Sequence, residues 1–175
     1  FKAALQIAFE HDNTVLIEKF IPGREFRIFI INDEVVGILH RVPANVTGDG
    51  VLNIGQLIDR KNEDPLRGKG YRTPLEKIRK GREEEMFLKN SNISTGGDSI
   101  DFTDDIDDSY KAIAVEAAKA LNVKITGLDM MIQDIHAPAT PDNYAIIEMN
   151  FNPAIHIHCY PFKGKNRHLN HKMIK

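Results

Sequence analysis

Along this chain the apolar positions change period several times, and each change marks an element. Ala4, Leu5, Ala8 and Phe9 recur at helical spacing and predict an amphipathic helix, broken at Asp12-Asn13. Val15-Leu16-Ile17 predicts a short strand ending at Glu18, followed by a turn at Ile21-Pro22-Gly23. Phe26 to Ile31 and Val35 to Leu39 are apolar runs joined by Asn32-Asp33-Glu34, the pattern of a β-hairpin. The stretch after Arg41, V-P-A-N-V-T-G-D-G, reads as a loop, and Ile54 to Asn62 predicts a short helix. Asp64 to Pro74, with Arg67, Lys69 and Arg72, reads as a polar loop. Gly81 to Lys89 fits helix or strand, and N-S-N-I-S-T-G-G, residues 90–97, reads as a small-residue loop.

The clearest period lies further on. Tyr110, Ile113, Ala114, Ala117, Ala118 and Leu121 form one apolar stripe, which predicts a helix from Asp108 to Leu121. Asp107, Asp108 and Ser109 are its cap candidates. Leu128 to Gln133 and Tyr144 to Met149 predict two more strands, joined by a turn over Ile135 to Asn143 that holds Pro138 and Pro141. No internal repeat or low-complexity segment interrupts this order. The elements add up to an α+β class, mostly antiparallel sheet with flanking helices.

Composition narrows the function classes more than the fold. The 175 residues suffice for one domain with a core. A net charge of -2 argues against a nucleic-acid surface, and no apolar run reaches the length of a bilayer crossing. The single cysteine excludes an internal disulfide framework and fits a reducing cytoplasm. No signal-peptide pattern opens the chain. It begins F-K-A-A-L-Q-I-A-F, without methionine and already in a helical pattern, as expected of a piece of something longer.

Residues 145–162, A-I-I-E-M-N-F-N-P-A-I-H-I-H-C-Y-P-F, are crowded with potential ligands and offer two kinds of metal site. The soft kind uses His156, His158 and Cys159. Zinc usually takes four ligands in separated pairs, and His136, His168 and His171 are scattered. The three therefore read as residues lining a loop or a substrate pocket. The hard kind uses Glu148 and Asn150, which alternate along a strand and share a face. Asp129, in G-L-D-M-M-I on the neighbouring strand, can stand beside them. Two carboxylates and an amide oxygen suit Mg²⁺ that also holds nucleotide phosphates. The alternative is that both acids are solvated strand ends. Against it, both lie in otherwise apolar strands, where an unpaired charge is costly.

L-I-E-K-F-I-P-G-R-E-F-R-I-F-I, N-I-S-T-G-G, G-L-D-M-M-I and I-I-E-M-N-F-N-P together resemble the ATP-grasp carboxylate–amine ligases. L-H-R-V-P-A-N-V-T-G-D-G and S-T-G-G-D-S-I-D are similar to the cyanophycin synthetase and glutathione synthetase branches, and F-N-P-A-I-H-I-H-C-Y-P-F-K-G-K-N-R looks more like the second. The resemblance covers nearly the whole chain. It implies an incomplete ATP-grasp fold, the C-terminal part of the ATP-binding module. Residues 1–41 would form the nucleotide hinge and hairpin, 42–100 a loop-rich insert and 101–175 a metal-binding core.

The resemblance also implies roles. Glu18, Lys19, Phe20 and Ile21 match the hinge that binds adenine, and Glu25 the acid that binds the ribose hydroxyls; on their own, Glu18 reads as a strand-end acid and Glu25 as a turn acid. Asp129, Glu148 and Asn150 match ligands of two Mg²⁺ ions, with Mn²⁺ as an alternative. Arg27 and Arg41 match arginines that face the transferring phosphate, where charge stabilisation is the main need. Asn92, Ser94, Thr95, Gly96 and Gly97 match a loop that approaches the acyl phosphate or acceptor. Some other ATP-grasp ligases carry an arginine two residues before the Asp129 position. Here Gly127 stands there, so Arg27 or Arg41 must serve. The stretch between Leu75 and Met86 looks shorter than in the family.

The implied reaction is ATP-dependent joining of γ-glutamylcysteine and glycine through an acyl phosphate. A cyanophycin-type peptide ligase and a non-catalytic nucleotide-binding module are the alternatives. The implied partners are these small molecules and an N-terminal part of the same polypeptide, with a homodimer left open. The family's glycine-rich phosphate loop and phosphate-binding lysines are not in this sequence. The isolated chain is therefore expected to bind nucleotide poorly and not to turn over.

Overall fold

The computed structural model describes residues 1–69, 72–79 and 96–174. The sequence forms a five-stranded sheet because two local hairpins meet along one long-range seam. Strands β1 (Arg24–Ile31) and β2 (Glu34–Val42) make the first hairpin. Its two-residue turn places Asn32 and Asp33 at φ 48° and 64°, the paired left-handed conformation that matches strand twist and that Asn and Asp tolerate. Glu34 is already paired with Ile31, so the turn is tighter than the three residues expected. Strands β6 (Ile125–Ile132) and β7 (Tyr144–Asn150) make the second hairpin. β1 pairs with β6, and β5 (Asp98–Asp101) adds to β2, giving the order β5-β2-β1-β6-β7 with every neighbour antiparallel.

Strand alternation sends two different sets of side chains to the two faces. Phe26, Ile28, Ile30, Leu128, Met130 and Ile132 pack against helix α3 (Asp108–Ala120) through Tyr110, Ala114 and Ala118. The helix starts where expected: the Asp107 side chain accepts from the Ser109 N–H at 3.0 Å. The other face carries Phe29 and Ile31 with Val36, Cys159 and Leu169, under the short helices α4 (His156–Cys159) and α5 (Leu169–Met173). A second apolar cluster, Leu39 with Leu75 and Ile157, lies on the same face, and the buried Arg27 and Asp129 of the candidate site stand on that face too.

Helices α1 (Lys2–Phe9) and α2 (Ile54–Asn62) form as the periodicity predicts, the second closed by an Asn53–Gln56 capping box. Three expectations are corrected and one strand was not foreseen. No strand forms at Val15–Glu18; Leu16 and Ile17 are 79% and 65% exposed, and no described strand stands beside them to pair. A β-branched run without a partner cannot satisfy its backbone as a strand. The polar loop from Asp64 contains β3 (Arg67–Gly68), parallel to β4 (Leu75–Glu76). β5, D-S-I-D, was unexpected because it has one apolar residue and owes its state to pairing with β2. His156, His158 and Cys159 sit on a helical turn, not an extended loop, and His158 and Cys159 are buried. Gly81–Lys89 and residues 90–95 lie outside the described residues.

Candidate functional site

Register across three strands builds the site. Arg27 on β1 stands opposite Asp129 on β6, and Asp129 stands opposite Glu148 on β7. Gly127 pairs with Asn150, so Asn150 emerges on the same face as Glu148. The β6–β7 register shifts between Asp129 and Met130, so a bulge lies directly beside the acids. The expected metal trio is therefore brought together by backbone pairing alone.

Asp129 is 1% exposed, and its charge is met by two guanidiniums. Arg27, 7% exposed, grips both carboxylate oxygens, Nη2 to Oδ2 at 2.8 Å and Nε to Oδ1. Arg41 Nη2 donates to Oδ2 at 3.0 Å and also ion-pairs with Glu25. Such a fork is strong and directional, and burial makes its loss expensive. Glu148 is exposed, and Asn150 Nδ2 donates to its Oε1 at 2.9 Å. That bond leaves the Asn150 Oδ1 as a hard donor on the same face.

These residues fit a hard divalent ion: two carboxylates and one amide oxygen, opposite or two apart on adjacent strands. No group of three His, Cys, Asp or Glu side chains suited to a metal gathers among the described residues, so the amide is essential to the set. The soft residues do not assemble. His158 is fully buried, edge-on to Phe29 at 5.2 Å, and neither ring nitrogen has a hydrogen-bond partner among the described residues. Gly37 makes room for it: a Cβ there would lie 2.8 Å from His158 Nδ1.

His158 is held neutral, its pKa pushed down to about 3 by burial and then by the Arg27 charge. His40 is lowered to about 4, by burial first and Arg24 second. Unfolded histidines take up protons below about 6.5, whereas these two do not until pH 4 or 3. Their stability contribution is thus present above pH 6.5 and lost as pH falls toward the folded values. Acidification from pH 7 to 5 is expected to cost about 2 kcal/mol through His158. His158→Leu should flatten that slope in urea unfolding followed at both pH values. An unchanged slope would show that the ring is not buried neutral.

Of the residues expected to bind nucleotide, Glu25 reaches this cluster through Arg41. Glu18, Lys19 and Phe20 are exposed and Ile21 half-buried on the stretch leading into β1. Gly23, at φ +136°, brings that stretch against the end of β6; a Cβ would lie 2.6 Å from the Ile132 carbonyl oxygen. Of the small-residue loop, Asn92, Ser94 and Thr95 lie outside the described residues. Gly96 and Gly97 are buried at its end. Arg67 Nη1 donates to the Gly96 carbonyl at 3.0 Å and Nη2 bonds Asp98, while Lys61 Nζ reaches Asp98 Oδ2 at 2.7 Å. Sequence reasoning missed this buried hub. Arg67 stands in a run of exposed-looking charges, and nothing in the pattern distinguishes it from its neighbours.

No profile of a known protein family matches the chain. It is 58% identical over 194 aligned residues to the glutathione biosynthesis bifunctional protein GshAB of Desulfotalea psychrophila and 53% identical to that of Clostridium perfringens. Each match covers 99% of this chain and 25% of the relative, so the chain spans about a quarter of the relatives' length. The alignments are longer than the chain's 175 residues, so these relatives carry extra residues within the matched stretch. The fold matches the crystal structure of a bifunctional glutathione synthetase from Pasteurella multocida, with a TM-score of 0.83 and 44% identity, over 99% of this chain and 27% of that one. In sequence and in fold this chain is similar throughout to one segment, about a quarter, of the bifunctional glutathione biosynthesis proteins.

Proposed function

We propose that this chain is the C-terminal part of an ATP-grasp site that joins γ-glutamylcysteine to glycine. The observation that carries the reading is the Arg27–Asp129–Glu148 register with Asn150 alongside, in a chain similar throughout to GshAB proteins. Asp129, Glu148 and Asn150 would hold Mg²⁺, two ions in the family pattern, with Mn²⁺ as a substitute. A metal held there would supply positive charge against the phosphate oxygens. Arg27 and Arg41 supply positive charge on the same face for that phosphate. A γ-glutamylcysteine carboxylate oxygen attacks the γ-phosphorus, and the bond to ADP breaks. The glycine amine then attacks the acyl carbon, phosphate leaves with its oxygen, and the nitrogen gives up a proton.

Glu18 to Ile21 would receive adenine and Glu25 the ribose. Glu25 already holds Arg41, so its carboxylate must serve both. Asn92 and Ser94 to Gly97 would approach the acyl phosphate. In this reading residues 1–41 form hinge and hairpin, 42–100 the insert and 101–175 the metal core, with β5 straddling the last boundary. No helix among the described residues is long and apolar enough to cross a membrane. A cytoplasmic location and a longer parent polypeptide belong to the same reading.

The test is phosphate release by the full-length polypeptide carrying this chain, with ATP and Mg²⁺. γ-Glutamylcysteine plus glycine is compared with a cyanophycin primer plus aspartate or arginine. Release is expected with the first pair only. Glu148→Gln should lower it at least about 10²-fold with no change in melting temperature, because Glu148 is exposed. Release with the primer alone would assign a peptide-polymer ligase. Release with neither pair, or an unaffected variant, would reject the reading.

A further inference from the structure

Asp129 is asked to do two things that conflict electrostatically. As a metal ligand it must present negative charge to a divalent cation. Yet its two oxygens already accept three N–H groups, two from Arg27 and one from Arg41. The register places Arg27 on one flank of Asp129 and Glu148 on the other. Counting Glu25, Arg27, Arg41, Asp129 and Glu148, the cluster carries a single net negative charge. A divalent ion shared by Asp129 and Glu148 would lie within a few ångströms of two guanidiniums, in a setting where burial strengthens the repulsion.

We propose that Arg27 is an internal cation that holds Asp129 and trades places with the metal, so that it sets the affinity of the site for divalent ions. The inference rests on the metal reading given above and adds a role for Arg27 before any phosphate arrives. Three features support the exchange. Arg27 is bound in register and buried, so it does not drift from Asp129 on its own. Its stem runs through the space left by Gly127, where a Cβ would lie 2.9 Å from Arg27 Cδ, so the stem can stay seated while the guanidinium turns. Arg41 has a second acid, Glu25, to take its charge. Arg27 is therefore the cation for which exchange matters, and a phosphate on the same face is its natural next partner.

The experiment is Mn²⁺ binding to the full-length polypeptide, followed by electron paramagnetic resonance without nucleotide. Arg27→Gln is expected to bind Mn²⁺ about tenfold more tightly than the unsubstituted protein. Mn²⁺ should also raise the melting temperature of Arg27→Gln more than that of the parent, because the ion replaces the lost cation at a buried carboxylate. Arg41→Gln should tighten binding less, and it decides the matter if Arg27→Gln fails to fold. Equal or weaker binding in both variants would overturn the exchange. Glu148→Gln separates the two readings. If it weakens Mn²⁺ binding while the arginine variants change nothing, only the exchange fails. If it leaves binding untouched, the metal assignment fails and takes the exchange with it.

Discussion

Asp129→Ala is expected to lower the free energy of unfolding by about 3–5 kcal/mol, the scale for stripping the partner from a buried charge. Arg27 is 7% exposed and, among the described residues, makes its fork with Asp129, so the substitution strands a guanidinium inside the sheet. Arg41 loses less, because Glu25 still holds it. Urea unfolding reads this directly, as a shifted midpoint at an unchanged slope. Glu148→Ala, directly across the strand pair, should change stability by no more than about 0.5 kcal/mol because its carboxylate is exposed. The contrast separates two roles that the acids share in the proposed chemistry. Asp129 holds the sheet and faces the site, whereas Glu148 only faces the site. Equal stability losses at the two positions would contradict the burial that distinguishes them.

Gly127→Val is the second substitution with a large expected effect, and its sign is opposite to what strand propensity suggests. A β-branched residue ordinarily favours a central strand. Here the added Cβ would lie 2.8 Å from Pro153 Cβ and 2.9 Å from Arg27 Cδ. The proline ring is stiff and the arginine is pinned by Asp129, so neither yields cheaply. The expected cost is about 1–3 kcal/mol, the range for overpacking, with phosphate release down about 10²-fold as Arg27 is displaced. Gly48→Ala is the control: nothing lies within 4 Å of the Cβ it would add. Full activity in Gly127→Val would mean that Arg27 has another route to the site.

Gly127 also shows how far a sequence can be read. Its place two residues before Asp129, where the resemblance implies arginine in some other ligases, reads as a departure that leaves Arg27 or Arg41 to serve. The geometry gives the reason: Arg27 reaches the same space from the neighbouring strand, and only glycine leaves it open. Elements governed by local period were legible. The helix expected at 54–62 forms over that span, and the helix expected to start at Asp108 does so. That Asp129 and Glu148 come together was legible too, because both interrupt apolar runs in two strands adjacent in sequence. What pairing or burial decides was not. Val15 to Glu18 has strand-forming residues and no partner among the described residues, while Asp98 to Asp101 has few and a partner in β2. His158 is polar in sequence and lies wholly inside, and Arg67 is buried by Asp98 and Gly96, contacts that no local pattern encodes.

The seam between the two hairpins has a further consequence. Each hairpin closes locally, but β1 and β6 must find one another across a gap in which Arg27 and Asp129 are 102 residues apart. A slip of one residue along that seam would turn the apolar set of one hairpin to the wrong face. A slip of two keeps the faces, so hydrophobic burial discriminates against it poorly. It is the charges that forbid it: Arg27 would then face Gly127 or Met131, and two buried ions would each lose their partner. The pair at the centre of the candidate site therefore also works as an alignment key for assembly. A substitution chosen only to retune the chemistry there also alters which sheet the chain builds.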